Sequence, residues 1–462
     1  ARRPDCACRG HSAPSMKRAG SRAASRLDVA LSPGVSKKEL WAWAMYDFAN
    51  SGYTTVVLTT VFSAYFVSVV AAGRDWGTLA FTCALSASYL LVMLTMPALG
   101  ARADARARRR RFLFLGTTGC VAGTALLALA GPNDIAIGLL ALAISNYCYC
   151  IGESLIAAFL PEIARPEALG RVSGWGWSFG YLGGMLTLGI SLAIAGRAEA
   201  AGLPAQEYVP WIMLLTAGVF GFAAIPSFLF LKERSPATGR TVETLFSRLL
   251  NAWHDVSENF PDFRLLLLCG ACYQAGIAVV VTLAAVYASE AMGFTMAQTM
   301  LLVFTVNIAA AVGAFSFGHV QDRIGHKSAL TITLLGWILM VIVAYLAVEA
   351  WVFWIAATLA GLCMGTSQSA GRAMVGAFAP PRRLAEFFSL WTFAIQLAAV
   401  VGPLFYGVVT WASSGNHRMA LLFTGSFFVA GLVILTRVNF AGGMSARAAA
   451  AEQHAIQMTK ET

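Results

Sequence analysis

Three charged residues stand where charge is expensive. Asp47, Glu153 and Arg372 lie well inside apolar runs, while the other acids and bases fall in loops, tails or run ends. At membrane depth such a group costs several kcal/mol unless it faces protein or water. Two acids and one base therefore point to mutual pairing or a wet cavity. Arg372 suits a carboxylate or other anionic group, Asp47 a cationic group or a proton, and Glu153 is a second proton-coupling candidate. Asp47, Asn50 and Thr54 follow i, i+3, i+7 and share one helix face. Gln368 and Arg372 are spaced i, i+4, and Asn146 and Glu153 are spaced i, i+7. Tyr273 and Gln274 add polar groups in another apolar run. All of these groups also suit plain hydrogen bonding between helices.

The elements that must position them follow from composition. The 462 residues are 58% hydrophobic and 12% charged, against about 25% charged in soluble domains. This is a polytopic, all-α membrane chain. The net charge of +10 belongs to loops and tails facing anionic lipid, not to nucleic-acid binding. Of nine cysteines, seven lie in apolar segments, and none forms a zinc-ligand spacing. Residues 1–40 lack the apolar core of a cleavable signal, and Met16 is a candidate first residue.

Runs of spanning length number twelve. Six fall within 41–231, at about 41–72, 77–99, 112–130, 134–160, 172–195 and 209–231. Six more fall within 263–437, at about 263–289, 296–318, 328–348, 351–378, 385–411 and 417–436. Residues 1–40 are expected to be a basic tail without regular structure, and 438–462 a second tail. Between the halves, 232–262 carries Val242, Leu245, Phe246, Leu249, Leu250 and Trp253 at helical spacing, with Arg248 and Asp255 off that face. This predicts an amphipathic helix at the membrane surface or against the bundle, rather than a plain tether. Arginine and lysine crowd alternate loops, so the positive-inside rule puts both tails and the 232–262 stretch in the cytoplasm. A bacterial inner membrane is the expected location. Trp41 and Trp43 then read as interfacial anchors, with Asp47 about 6–9 Å further along the helix.

The halves repeat each other. Gly100 and Asp104 follow the second run as Gly-x-x-x-Asp, and Gly318 and Asp322 follow the eighth, trailed by Arg323, Gly325 and Lys327. The glycine permits close helix approach, and the aspartate can cap a helix or pair with Arg323 or the Arg108–Arg111 run. Such loops are candidate conformational latches. Ala158-Phe159-Leu160-Pro161 and Ala377-Phe378-Ala379-Pro380 also correspond. Repeated halves are the signature of a transporter with its site at the repeat interface. Gly174, Gly176, Gly180, Gly184, Gly361 and Gly365 mark close-packing faces, and Gly402-Pro403 is a candidate kink. Gly176-Trp177-Ser178-Phe179-Gly180 matches a hydrolase elbow, but that pattern has meaning only between a strand and a helix.

The twelve runs and duplicated loops resemble the major facilitator superfamily. Tyr46-Asp47-Phe48-Ala49-Asn50-Ser51, Ala158-Phe159-Leu160-Pro161-Glu162-Ile163-Ala164, Gly170-Arg171-Val172-Ser173-Gly174 and Glu386-Phe387-Phe388 resemble its autophagy-related vacuolar-effluxer-like branch. The resemblance implies two rocking six-helix halves with spans one, four, seven and ten lining the cavity. Fungal relatives in that branch are associated with amino-acid export from the vacuole. Three departures are visible. Gln274-Ala275-Gly276 stands where the family tends to carry Asn-Asp-Gly, Gly371 replaces a serine, and Gln396 stands where many relatives carry lysine. Gln396 joins the binding candidates on that ground. The expectation is a non-enzymatic transporter of a small polar or zwitterionic solute, working as a monomer in the bilayer without a cofactor, with proton or sodium coupling open. A drug or lipid exporter, or a non-transporting scaffold or sensor, is the alternative.

Overall fold

The computed structural model describes residues 29–461 apart from 73, 75, 236–244, 291, 295 and 415. Among them are twelve helices long and apolar enough to cross a membrane. Spans one to six are Lys37–Val70, Leu79–Ala105, Arg109–Leu129, Ile135–Ile163, Pro166–Ala200 and Ala205–Phe230. Spans seven to twelve are Pro261–Val281, Leu301–Ile324, His326–Leu346, Ala350–Phe378, Leu384–Ala412 and His417–Arg437. The loops rich in arginine and lysine gather at one end of the bundle, called here the basic face.

Span one starts four residues before its apolar run. Ser36 is its N-cap, and the Ser36 hydroxyl accepts from the Glu39 amide at 3.3 Å. Ser-x-x-Glu is a start signal that hydropathy alone overlooks. Further along, Thr54–Thr60 and Phe66–Val70 are wound as π-helix, a local widening often found at functional sites.

The halves meet along two crossed helix pairs. Span two lies against span eleven, and span five against span eight. Glycines set these approaches. A Cβ on Gly100 would stand 2.5 Å from the Ala385 carbonyl oxygen, and one on Gly318 would stand 2.8 Å from that of Gly170. Within the C-terminal half, Gly365 presses on the Ala310 carbonyl. Span eleven remains helical through Pro403, and Gly402 packs onto Ala275 of span seven.

Outside the spans the structure describes parts of the tail and of the stretch between the halves. Residues 29–40 are ordered, whereas 1–28 lie outside the described residues. The Ser32 amide donates to the Ile163 carbonyl at 2.9 Å, and Arg165 Nε donates to the Leu31 carbonyl at 2.7 Å. The exposed turn after span four leaves backbone groups that this strap satisfies. The stretch between the halves holds a helix, Leu245–Asn259, against span two and the start of span seven. Val242 and the side chains of Leu245, Phe246, Arg248, Leu249 and Leu250 lie outside the described residues. Trp253 is 43% exposed, while Ala252 and Val256 are buried, so of these three it is Ala252 and Val256 that face the bundle. Asp255 ties this helix to the start of span eleven through its ion pair with Arg383 at 2.6 Å. Burial disfavours the Arg383 charge, yet Glu386 and Asp255 outweigh it and hold the guanidinium above its ordinary value. A last helix, Phe440–Glu461, returns beneath the C-terminal half, where Arg447 donates to the Ala377 carbonyl at 3.0 Å.

Packing of this kind makes a prediction. Gly365→Leu should lower the thermal midpoint sharply, at a cost of about 3 kcal/mol or more. Gly189→Ala should not lower it, because nothing stands within 4 Å of a Cβ there and alanine favours the helix. Thermal unfolding of the detergent-purified variants decides it; equal midpoints would contradict this packing.

Candidate functional site

Between the halves lies a cavity of about 710 Å³. It runs from Asp47 and Arg372 to Tyr287, Phe353 and Tyr406, which lie on the side away from the basic face. Spans one, four, seven and ten all line it, through residues such as Asn50, Glu153, Val279 and Gln368.

An ion pair closes its inner end. Arg372 Nη1 donates to Asp47 Oδ2 at 2.7 Å, joining span ten to span one across the two halves. Arg372 Nε donates to the Ser173 hydroxyl at 3.1 Å, and Nη2 donates to the Ser173 carbonyl at 2.9 Å. The same hydroxyl donates to the Ser369 carbonyl at 2.9 Å. The guanidinium lies 4.7 Å from the Trp43 ring centroid and 5.3 Å from that of Trp177. Span five can come this close because Gly176 has no side chain. A Cβ there would touch Asp47 Oδ2 and stand 2.7 Å from Arg372 Nη2. Glu153 borders the same cavity, as does Tyr149 one helical turn earlier on span four. It makes no ion pair among the described residues. Asn50 lines the cavity with its Oδ1 buried and unpartnered.

The other candidates divide between helix packing and the cavity wall. Asn146 is buried and donates to the Ser88 hydroxyl at 2.6 Å, tying span four to span two. Tyr273 packs against Gly371, Gly431 and Trp391 rather than facing the cavity. Gln274 and Gln368 exchange amide hydrogen bonds at 2.9 and 3.3 Å, and of the two Gln368 reaches the cavity. Gln396 lines the cavity and donates to Cys150 Sγ at 3.3 Å, a contact between the halves. Trp43 is fully buried, with its indole N–H on the Ile156 carbonyl at 2.9 Å, so only Trp41, 49% exposed, can serve as an interfacial anchor. Sequence reasoning gave Trp43 an interfacial role and gave Ser173 and Trp177 no role in the site. The last lay in view inside the Gly176–Gly180 pattern that reads as a hydrolase decoy.

The duplicated loops seal the basic face. Asp322 Oδ1 accepts from the Gly170 amide at 3.0 Å, and its carboxylate caps the N-terminus of span five. Asp104 Oδ2 accepts from the Glu386 amide at 2.9 Å and caps span eleven. Each aspartate thus caps a helix of the other half, where a negative charge is favoured by the helix dipole. Their arginine partners are Arg171, at 3.3 Å, and Arg109, at 3.2 Å. Arg323, the expected partner of Asp322, is exposed. Arg109 also pairs with Glu162 at 2.6 Å. Gly325 takes a positive φ of 88° in the turn, and Lys327 Nζ caps span twelve on the Thr436 and Val438 carbonyls at 2.9 and 2.7 Å.

The family model described as "Vacuole effluxer Atg22 like" matches residues 68–448, well over half the chain. The chain belongs to this family. YxiO, an uncharacterized major-facilitator-type transporter of Bacillus subtilis, is 27% identical over 406 residues, 86% of this chain and 94% of its own. Autophagy-related protein 22 of Cryptococcus neoformans is 23% identical over 319 residues, which make up 63% of this chain and 56% of that relative. The human organic anion transporter MFSD10 (TETRAN) has a TM-score of 0.70 at 17% identity, covering 86% of this chain and 99% of its own. FucP in its outward conformation has a TM-score of 0.68 at 12% identity, covering 87% and 98%. This member of the Atg22-like branch therefore has the major facilitator fold and is a membrane transporter of that type.

Amide exchange tests the two caps. Asp322→Ala should speed exchange of the Gly170 and Arg171 amides about fivefold, as loss of about 1 kcal/mol of capping would give. Asp104→Ala should do the same at Glu386. Unchanged protection in both variants would show that the carboxylates do not hold this face shut.

Proposed function

We propose that this chain is a secondary active transporter of a small polar solute bearing an amino group, an amino acid or related metabolite. The supporting observation is the buried Asp47–Arg372 pair, which joins the halves where the cavity ends. Removing one partner of a buried pair leaves an uncompensated charge, at about 3–5 kcal/mol. Rocking of the halves parts span one from span ten, so the pair must separate in each cycle. A solute ammonium on Asp47 and a solute carboxylate on Arg372 would replace each charge's lost partner. The cavity volume falls within the about 300–1,000 Å³ usual for small-molecule sites.

Glu153 has the position of a coupling acid. It faces the cavity, lacks a cationic partner among the described residues, and lies near Asp47 and Arg372. Proton coupling is the reading this favours over sodium. The arginine-rich loops favour a cytoplasmic basic face, so the cavity opens to the outside of a bacterial inner membrane. The protein works as a monomer, since each chain carries a whole cavity.

Flux in proteoliposomes tests this reading. Asp47→Asn and Arg372→Ala should each reduce solute flux more than tenfold. Asp47→Asn/Arg372→Gln, which removes both charges, serves as the folding control. Glu153→Gln should lose accumulation driven by a pH gradient yet keep solute exchange at equilibrium. Normal flux in the two single variants would end the cavity assignment.

A further inference from the structure

The Arg372 guanidinium has two indole neighbours, and they differ. Trp43 is fully buried, and its N–H is spent on the Ile156 carbonyl at 2.9 Å. Trp177 lines the cavity, with its ring centroid 5.3 Å from the guanidinium carbon. One turn further along span five, the ring of Tyr181 lines the cavity too, 5.9 Å from that of Trp177. Ala310 and Ala311 of span eight and Met364 of span ten share one apolar cluster with these rings. Trp177 therefore stands at the seam between the halves.

Its N–H has no acceptor. Three buried side-chain nitrogens among the described residues make no hydrogen bond, namely Arg109 Nε, Arg171 Nε and Trp177 Nε1. The two arginines have carboxylates at 3.2 and 3.3 Å. The indole alone has neither hydrogen bond nor ion pair. An indole N–H can only donate, and a buried one ordinarily finds a partner. In the wall of a cavity, the missing partner is the acceptor of a ligand.

Arg372 decides the kind of acceptor. Nη1 and Nη2 carry two N–H each and spend one each, on Asp47 and on the Ser173 carbonyl. Two charged donors are thus left beside the indole. Asn50, Gln368 and Gln396 each carry both a donor and an acceptor, and the unpartnered Ser154 hydroxyl acts either way, so none of them decides the charge of a ligand. Asp47 and Glu153 supply carboxylates on spans one and four, where an ammonium fits.

We infer that Trp177 is a solute-binding residue that shares the solute's carboxylate with Arg372. One carboxylate oxygen takes a spare Arg372 N–H, and the other takes the indole N–H. Bound in this way, the carboxylate joins span ten to span five and ties the halves together as Asp47 does in this structure. The inference rests on the transport reading of the same cavity and deepens it, adding a residue that selects for the carboxylate.

The test uses the full chain in lipid nanodiscs with L-phenylalanine and 2-phenylethylamine, which differ by the carboxylate. A ligand of the folded state raises the melting temperature by mass action. Wild-type protein should respond to the amino acid at concentrations at least tenfold below those of the amine. Trp177→Phe keeps an aromatic face and loses the N–H. It should weaken L-phenylalanine about tenfold, the worth of a hydrogen bond to a charged group, and leave the amine unchanged. The ratio between the probes is the readout, because a loosened fold would weaken both. A second reading needs no variant. In wild-type protein labelled with 15N-tryptophan, an indole N–H signal should move downfield with L-phenylalanine and stay in place with the amine. An unchanged ratio in Trp177→Phe, or the absence of such a signal, overturns the inference. If amino acids nonetheless cross the membrane of proteoliposomes, the transport reading survives. If L-phenylalanine does not bind and no amino-acid flux is found, both fall.

Discussion

Much of this structure is arranged so that Asp47 and Arg372 can touch. One residue belongs to each half, and they meet only when the halves close at the basic end. Gly176 leaves the space, Ser173 takes two of the arginine's remaining donors, and Trp43 and Trp177 cover the guanidinium. A buried pair of this type adds little net stability over apolar packing, because desolvation offsets the attraction. Its value is conditional. It rewards one arrangement of the halves and penalises another, unless something else supplies the missing charge.

As proposed latches, the duplicated loops act on the same equilibrium with smaller terms. Two aspartates cap two helices of the opposite half, and each cap is worth roughly 1 kcal/mol. Such terms bias a two-state system without freezing it. The glycine contacts between spans two and eleven and between spans five and eight set how tightly the basic face can close. The core within each half is far larger, so rigid-body rocking leaves it intact. The arrangement suits alternating access, in which a few interface contacts exchange while each bundle keeps its packing.

Some of this was legible in the residues. Hydropathy located the spans because a helix must satisfy its own backbone in lipid. The cost of buried charge singled out Asp47, Glu153 and Arg372, and the repeat singled out Asp104 and Asp322. What stayed hidden were features set by neighbours far along the chain. Trp43 reads as an interfacial residue until Ile156 and Arg372 are seen around it. Asn146 reads as a cavity residue until Ser88 takes its amide. Where a helix is tied down depends on partners such as Arg383 for Asp255, and no local pattern encodes them.

The central claim is that the basic-end contact between the halves must open for solute to cross. Ser173 and Ser369 meet there, hydroxyl to carbonyl. The decisive measurement is solute flux through Ser173→Cys/Ser369→Cys protein, with the native cysteines replaced, before oxidation, after oxidation and after reduction. Oxidation should stop flux and reduction should restore it. Undiminished flux through fully cross-linked protein would contradict the account.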